Sequence, residues 1–201
     1  GNDEMILPLV DVSGSMGVAI GGNENLTAMD IAISLGLYIS ERNIGPFKDS
    51  FITFSRKPQM HVLNGGLSDR YSQLKRADWG MNTNFTRVFK LILEKANEFE
   101  LPQSEMPKKV LVLSDMQFDS ADSYYDITNH NKIKDLYNES GYEMPQIVYW
   151  NLNSRCSTFP VTINESNCCL ISGFSPSILK SVLGGDEMTP MSIMLKTINN
   201  E

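Results

Sequence analysis

A short segment near the start of the chain concentrates side chains that suit a metal ion. It places Asp11, Ser13 and Ser15 at alternate positions, so one carboxylate and two hydroxyls can point to one spot. Gly14 and Gly17 are expected to let the backbone turn sharply around them. Hard oxygen ligands of this kind select Mg²⁺, Mn²⁺ or Ca²⁺ over zinc or copper. The segment therefore predicts a site for a hard divalent cation.

Two further side chains are expected to join this loop. Thr83 stands in a polar turn just before the clearest amphipathic helix, where it also has the position of a helix N-cap. Asp115 follows a continuous apolar strand, as Asp11 does. Ligands of open α/β sheets bind at the carboxyl ends of strands, beside the point where the strand order reverses. We therefore expect all of these side chains to meet at one edge of a sheet.

The elements that must position these residues alternate between strands and helices. Apolar runs predict strands at residues 5–10, 50–55, 59–63, 109–114, 146–150 and 168–171. Helical patterns occur after a capping box of Thr27 and Asp30, at 84–99, around Ile133, and at 176–183 and 190–198. We predict an α/β fold, a doubly wound three-layer sandwich whose central, mostly parallel sheet has one antiparallel edge strand, in a single domain spanning residues 1–201.

Composition excludes several other classes of protein. The 201 residues carry a net charge of −7, which disfavours the broad basic face needed for nucleic-acid binding. No apolar run is long enough for a membrane span, so no membrane partner is expected. The three cysteines are an odd number and fit neither a disulfide framework nor paired zinc knuckles. We expect an intracellular, cytoplasmic location.

The set of ligand-type residues resembles a known site. Asp11, Ser13, Ser15, Thr83 and Asp115 look like the metal-ion-dependent adhesion site of von Willebrand factor A domains in order, strand context and separation, over essentially the whole chain. The resemblance implies that the three hydroxyls bind Mg²⁺ (or Mn²⁺ or Ca²⁺) directly and that the two acids act mostly through water. The chain looks closer to the intracellular members, namely the C-terminal A domains of Ro-type (TROVE) RNA-binding proteins and related uncharacterised proteins of plants and large DNA viruses. It is thus expected to be the C-terminal domain of a longer protein.

The resemblance also implies a class of partner. A divalent ion held mainly by neutral hydroxyls retains positive charge, so its open position prefers an anionic oxygen. In the family this oxygen is usually a carboxylate, here from an acidic residue of a protein partner or of another domain of the parent chain. Three methionines and a tryptophan adjoin the proposed metal loops and are expected either to form an apolar rim for that partner or to pack in the core: Met16, Met81, Met116 and Trp79.

Two classes of enzyme have similar strand ends but need residues that this sequence lacks. A haloacid-dehalogenase-like phosphatase has an acid after its first strand but needs a second acid where Ser13 stands. A nucleophile elbow would need glycine at that same position, and the glycine-rich phosphate-binding motifs do not occur. We therefore expect a non-enzymatic interaction module, with a metal-dependent phosphohydrolase as the alternative.

Overall fold

The computed structural model describes residues 5–20, 23–77, 80, 83–115, 127–152 and 168–172. Its strands and helices, in chain order, are β1 (Ile6–Val10), β2 (Ala19–Ile20), β3 (Asn23–Thr27), α1 (Ala28–Arg42), β4 (Ser50–Thr53), β5 (Met60–Val62), α2 (Leu67–Arg76), α3 (Phe85–Glu98), β6 (Lys109–Ser114), α4 (Ile127–Glu139), β7 (Gln146–Asn151) and β8 (Cys168–Ser172). The helices predicted at 176–183 and 190–198 lie outside the described residues. Within the described residues, no helix has the length and apolar character needed to cross a membrane.

Six strands form one sheet in the order β5-β4-β1-β6-β7-β8. Neighbouring strands are parallel, except that β4 and β5 form an antiparallel hairpin at the edge. The chain runs from β1 outwards to β4 and β5 and then returns to β6 on the other side of β1. The strand order therefore reverses at β1, which makes the carboxyl ends of β1 and β6 the expected location of a ligand.

The strands in the middle of the sheet are buried on both faces. Ile6 and Val10 of β1 pack in a cluster with α1 and with Leu74 of α2. Leu7 and Leu9 pack in a second cluster with α3 and α4. Helices therefore cover both faces of the sheet, and the predicted doubly wound α/β sandwich with one antiparallel edge is confirmed.

The central strand β1 contains a proline, Pro8, on a stretch that has no neighbouring strand on its β4 side. The side chain of Asn43 supplies hydrogen bonds to the backbone there instead. The β1–β4 ladder begins only at Leu9, so Ile6 and Pro8 have no β4 partner in register. The Ile6 N–H donates to Oδ1 of Asn43 (3.2 Å), and Nδ2 of Asn43 donates to the Ile6 carbonyl (2.8 Å). Pro8 has no N–H, so it places no unpaired donor on this side of the strand.

Helix α1 begins with the predicted capping box and packs very close to β1. The Thr27 hydroxyl oxygen accepts from the Asp30 N–H (3.2 Å), and the Asp30 carboxylate accepts from the Thr27 N–H (3.0 Å). A Cβ atom added to Gly36 would lie only 2.7 Å from Cγ2 of Val10. Gly36 therefore sets the approach of α1 to the strand that carries Asp11.

Two elements differ from the sequence prediction. The stretch after Gly17, where the sequence predicts no strand, contains the small antiparallel hairpin β2–β3. Helix α2 was not predicted: Leu67, Tyr71 and Leu74 have helical spacing, but the helix is otherwise polar and Leu74 is its one buried residue. Local bonds mark its start, where the Gly66 N–H donates to the carboxylate of Asp69 (3.1 Å).

Candidate metal centre

The two acidic side chains of the candidate site follow adjacent strands. Asp11 comes directly after β1, and its N–H donates to the Leu113 carbonyl of β6 (2.9 Å), which continues the parallel ladder. Asp115 comes directly after β6. Both residues are buried, with exposed fractions of 3% and 0%. The sheet therefore brings two carboxyl groups to the place where the strand order reverses.

A single turn brings the two serine hydroxyls beside Asp11. The Asp11 Oδ1 atom accepts from the Ser13 N–H (2.8 Å). The Ser13 and Ser15 hydroxyls are 2.9 Å apart and hydrogen-bond to each other. The turn is a short 3₁₀ helix over Gly14–Gly17, in which the Met16 N–H donates to the Ser13 carbonyl (3.0 Å). This local geometry gathers three oxygen-bearing side chains from alternate positions of one segment.

The glycines of this turn have a different role from the one expected. Neither Gly14 nor Gly17 has a positive φ, so the turn does not require glycine at either position. A Cβ atom added at either residue would find open space. Both residues are exposed. Their lack of side chains leaves the outer side of the turn bare, which suits a surface that another molecule approaches.

Ser114 supports the site, although it was not predicted to do so. Its hydroxyl donates to Oδ2 of Asp11 (2.7 Å), and the residue is fully buried. The two oxygens of Asp11 thus accept one bond from the turn and one from β6. The signal for this role is weak, namely one hydroxyl at the end of an apolar strand.

The electrostatics of the site disfavour the ionised form of Asp11. Burial raises the pKa of Asp11 above its ordinary value of 3.8, and the nearby Asp115 charge raises it further. The hydrogen bonds from the Ser13 backbone and from the hydroxyls of Ser114 and Ser13 act in the opposite direction without cancelling the effect of burial. A cation bound here would offset the cost of keeping these carboxylates charged.

Thr83 lies at the same edge of the sheet, at the end of β4. The Gly80 N–H donates to the Phe54 carbonyl (2.8 Å), and the Asn84 N–H donates to the Ser55 carbonyl (3.4 Å). These bonds attach the turn that contains Thr83 to the carboxyl end of the strand beside β1.

The predicted N-cap role of Thr83 is wrong. Helix α3 begins at Phe85 and is capped by Asn84, whose Oδ1 accepts from the Arg87 N–H (3.0 Å). Thr83 is 7% exposed, and its buried hydroxyl has no hydrogen-bond partner among the described residues. A buried hydroxyl without a partner is costly, so this oxygen is free to act as a ligand. The side chains present therefore fit a hard cation.

The expected apolar rim is corrected at one position. Met16 is fully buried and packs in the hydrophobic cluster between α1 and the sheet. Its thioether therefore fills the core and offers no surface to a partner. The other members, Met81, Met116 and Trp79, lie outside the described residues. Within the described residues, no group of three or more histidine, cysteine, aspartate or glutamate side chains forms a metal site. The candidate set consists instead of two carboxyls and three hydroxyls.

Fold and strand-edge site together define an open-sheet α/β domain. The chain belongs to the family described as a domain of unknown function, DUF7788, whose model matches residues 6–200. It is 33% identical over 195 residues to the uncharacterized protein L728 of Acanthamoeba polyphaga mimivirus, a match that covers 96% of this chain and 33% of that protein.

A solved structure has a similar fold. The crystal structure of the Deinococcus radiodurans Ro (RSR) protein matches with a TM-score of 0.59 and 17% identity, over 87% of this chain and 32% of that one. The chain thus spans about a third of the length of each relative. The two matches are thus a Ro protein and a viral protein, and the sequence resemblance pointed to Ro-type proteins and to proteins of large DNA viruses. At this identity the structural likeness concerns the fold.

Proposed function

We propose that the protein is an interaction module that captures an acidic group through a divalent cation. The acidic group belongs to a partner protein or to another domain of the parent chain. Residues from three strand ends hold the cation: Asp11, Ser13, Ser15, Thr83 and Asp115. The observation that carries the proposal is the buried hydroxyl of Thr83, which lacks a hydrogen-bond partner among the described residues and lies at the same sheet edge as the Asp11 turn.

The contacts of these residues support a division of roles among them. The oxygens of Asp11 already accept bonds from the Ser13 N–H and the Ser114 hydroxyl, which fixes the carboxylate in place. Each carboxylate oxygen has a second acceptor position, so an indirect role through water is compatible with these bonds. The hydroxyls of Ser13 and Ser15 contact each other and can exchange that bond for a shared ligand. When bound, Mg²⁺ supplies a positive centre for one carboxylate oxygen of the partner.

Charge favours a protein over a nucleic acid as the partner of this domain. The net charge of −7 repels a phosphate backbone over most of the surface. We further propose that the domain acts in the cytoplasm, as the C-terminal part of a longer protein and without a membrane partner.

Thermal unfolding with and without metal tests the proposal. We expect millimolar Mg²⁺ or Mn²⁺ to raise the melting temperature of the parent protein, because a ligand that binds only the folded state stabilises it. Ser13→Ala should abolish this rise. Ser34→Ala removes an exposed hydroxyl from α1 and is the matched control, so it should retain the full rise. Equal melting of the parent protein with and without metal would contradict the proposal.

The phosphohydrolase alternative has its own test. We propose that the protein is not an enzyme. Haloacid-dehalogenase-like phosphatases need a second acid two positions after the first, and in this chain Ser13 occupies that position. A generic phosphate ester should therefore show no turnover in Mg²⁺ above the rate without protein. Metal-dependent turnover that disappears in Asp11→Asn would overturn this ranking.

A further inference from the structure

A cleft of about 690 Å³ lies at the antiparallel edge of the sheet. It extends from the turn before β5, along that edge strand, to the first turns of α3. Its lining residues are Arg56, Lys57, Pro58, Gln59, Met60, His61, Asn84, Arg87 and Leu91. The cleft thus combines the apolar side chains of Pro58, Met60 and Leu91 with polar and cationic ones.

Among the described residues that line the cleft, three carry cationic side chains and none is an acid. This local balance is opposite to the net charge of −7 for the whole chain. Lys57 is exposed and makes no ion pair with a described residue. Arg87 pairs with Glu94 (2.6 Å), but both side chains are about half exposed, and a pair of this kind contributes little and exchanges easily. The cleft therefore suits an anionic ligand.

The ring of His61 is turned away from the cationic side chains of the cleft. It stacks on Phe51, its partner in the β4–β5 ladder, with the two ring centroids 5.3 Å apart. Phe51 packs with α1, on the face of the sheet opposite α3. The polar contacts of the cleft therefore come from its other side chains.

The cleft adjoins the candidate metal centre along the chain. Asn84 lines the cleft, and Thr83, the residue before it, belongs to the metal centre. The Cα atoms of consecutive residues are about 3.8 Å apart, so the two regions border each other.

The edge strand favours a peptide over other polyanions. Strand β5 is the outermost strand of the described sheet, and its residues Met60 and His61 line the cleft. The free side of an edge strand can pair with the backbone of an extended peptide. The overall acidity of the protein opposes a nucleic acid.

We propose that this cleft binds an extended acidic segment of the same partner whose carboxylate reaches the metal centre. Acidic side chains of that segment pair with Lys57 and Arg87, and apolar ones contact Pro58, Met60 and Leu91. The inference rests on the proposed function in naming the occupant. The cationic contacts themselves require no metal.

Fluorescence anisotropy with a labelled decaglutamate peptide tests the inference, in Mg²⁺ and in EDTA. The double variant Lys57→Glu, Arg87→Glu should bind about tenfold more weakly in both buffers, because two attractive contacts become repulsive. The control Lys48→Glu, Lys134→Glu makes the same change in net charge at exposed positions outside the cleft, and its loss should stay below about threefold. Ser13→Ala should lose only the gain produced by Mg²⁺.

The outcomes separate this inference from the proposed function. If Mg²⁺ never strengthens binding but the cleft variant still weakens it, the proposed function fails and the cleft stands. If the cleft and control variants lose affinity equally, bulk charge explains binding and the cleft proposal is overturned. Tighter binding of an oligoadenylate decamer, with the same loss in the cleft variant, would overturn the choice of a protein segment. Should the double variant melt early, Lys57→Gln, Arg87→Gln should show a smaller loss in the same direction.

Discussion

The candidate metal centre and the basic cleft are neighbours with opposite construction. In the candidate centre the two carboxyl groups are buried, and Asp11 accepts hydrogen bonds from a turn and from β6. The cleft is open, and its cationic side chains are exposed. Thr83 belongs to the first region and Asn84 to the second. Burying a carboxylate requires fixed donors around it, whereas an exposed cation requires little support.

The largest difference between the two regions should come from removing one such donor. Ser114→Ala deletes the hydroxyl that donates to Oδ2 of Asp11 in the buried site. Because hydrogen bonds to charged groups are the stronger ones, we expect the free energy of unfolding to fall by about 2 kcal/mol in urea denaturation. Lys57→Ala in the cleft should change it by less than about 0.5 kcal/mol. Equal effects of these two substitutions would remove the contrast between the regions.

A smaller loss of stability is expected when a side chain is added between α1 and β1, the strand that precedes Asp11. Gly36→Ala would place Cβ 2.7 Å from Cγ2 of the fully buried Val10, the residue before Asp11. Overpacking of this kind costs about 1–3 kcal/mol, which exceeds the 0.5–1 kcal/mol that alanine gains over glycine within a helix. We expect a net loss of about 1 kcal/mol in urea denaturation. The Mg²⁺-dependent rise in melting temperature should fall as well.

Gly14 provides the control for this steric argument. Its added Cβ would find open space, so Gly14→Ala should fold as stably as the parent protein to within about 0.5 kcal/mol. If Gly36→Ala proved more stable than the parent protein, helix propensity would have outweighed the close contact, and the argument would be wrong.

The smallest expected effect concerns the capping box of Thr27 and Asp30 at the start of α1. The Thr27 hydroxyl and then its backbone N–H lower the pKa of Asp30 below its ordinary value of 3.8. We expect Asp30→Asn to cost about 0.5 kcal/mol near neutral pH, because Asp30 is an acid in the first turn of the helix. Since the folded pKa is lowered, the contribution of Asp30 is complete above about pH 4 and is lost as the pH falls through the folded pKa.

Unfolding curves from pH 7 to pH 2 check this dependence. The difference in free energy between the parent protein and Asp30→Asn should shrink as the pH falls below about 4. Tyr71→Phe removes the hydroxyl that donates to Oδ1 of Asp30 (3.0 Å) and should show a weaker change in the same direction. A difference that stayed constant down to pH 2 would exclude the capping carboxylate as its source.

The sequence predicts those parts of the molecule that depend on local pattern. Asp11 and Asp115 follow strands that contain continuous apolar runs, at residues 6–10 and 110–113, so their positions at the sheet edge follow from the strands. The capping box is likewise encoded within four residues. Helix α2 is harder to predict because it is short and mostly polar, with only Leu67, Tyr71 and Leu74 to mark its apolar face.

Features that join distant parts of the chain are harder to predict. Ser114 contacts Asp11 across 103 positions, and nothing near either residue marks that bond. The basic cleft combines residues 56–61 with Arg87, and the acidic total hides its local charge. The sequence also does not distinguish Thr83 from Asn84 as the cap of α3. In the structure Asn84 is the cap, and its N–H bonds to the Ser55 carbonyl, which follows β4 in the chain.

Direct titration with Mn²⁺, followed by electron paramagnetic resonance, tests the central claim most directly. Thr83→Val keeps the shape of the side chain and removes a hydroxyl that has no partner among the described residues, so metal-free stability should be retained or slightly raised. The account predicts that the parent protein binds one Mn²⁺ per chain and that Thr83→Val binds it at least about tenfold more weakly, as the loss of a ligand requires. Equal Mn²⁺ affinity in the two proteins, or no bound Mn²⁺ in the parent, would contradict a metal centre at this edge of the sheet.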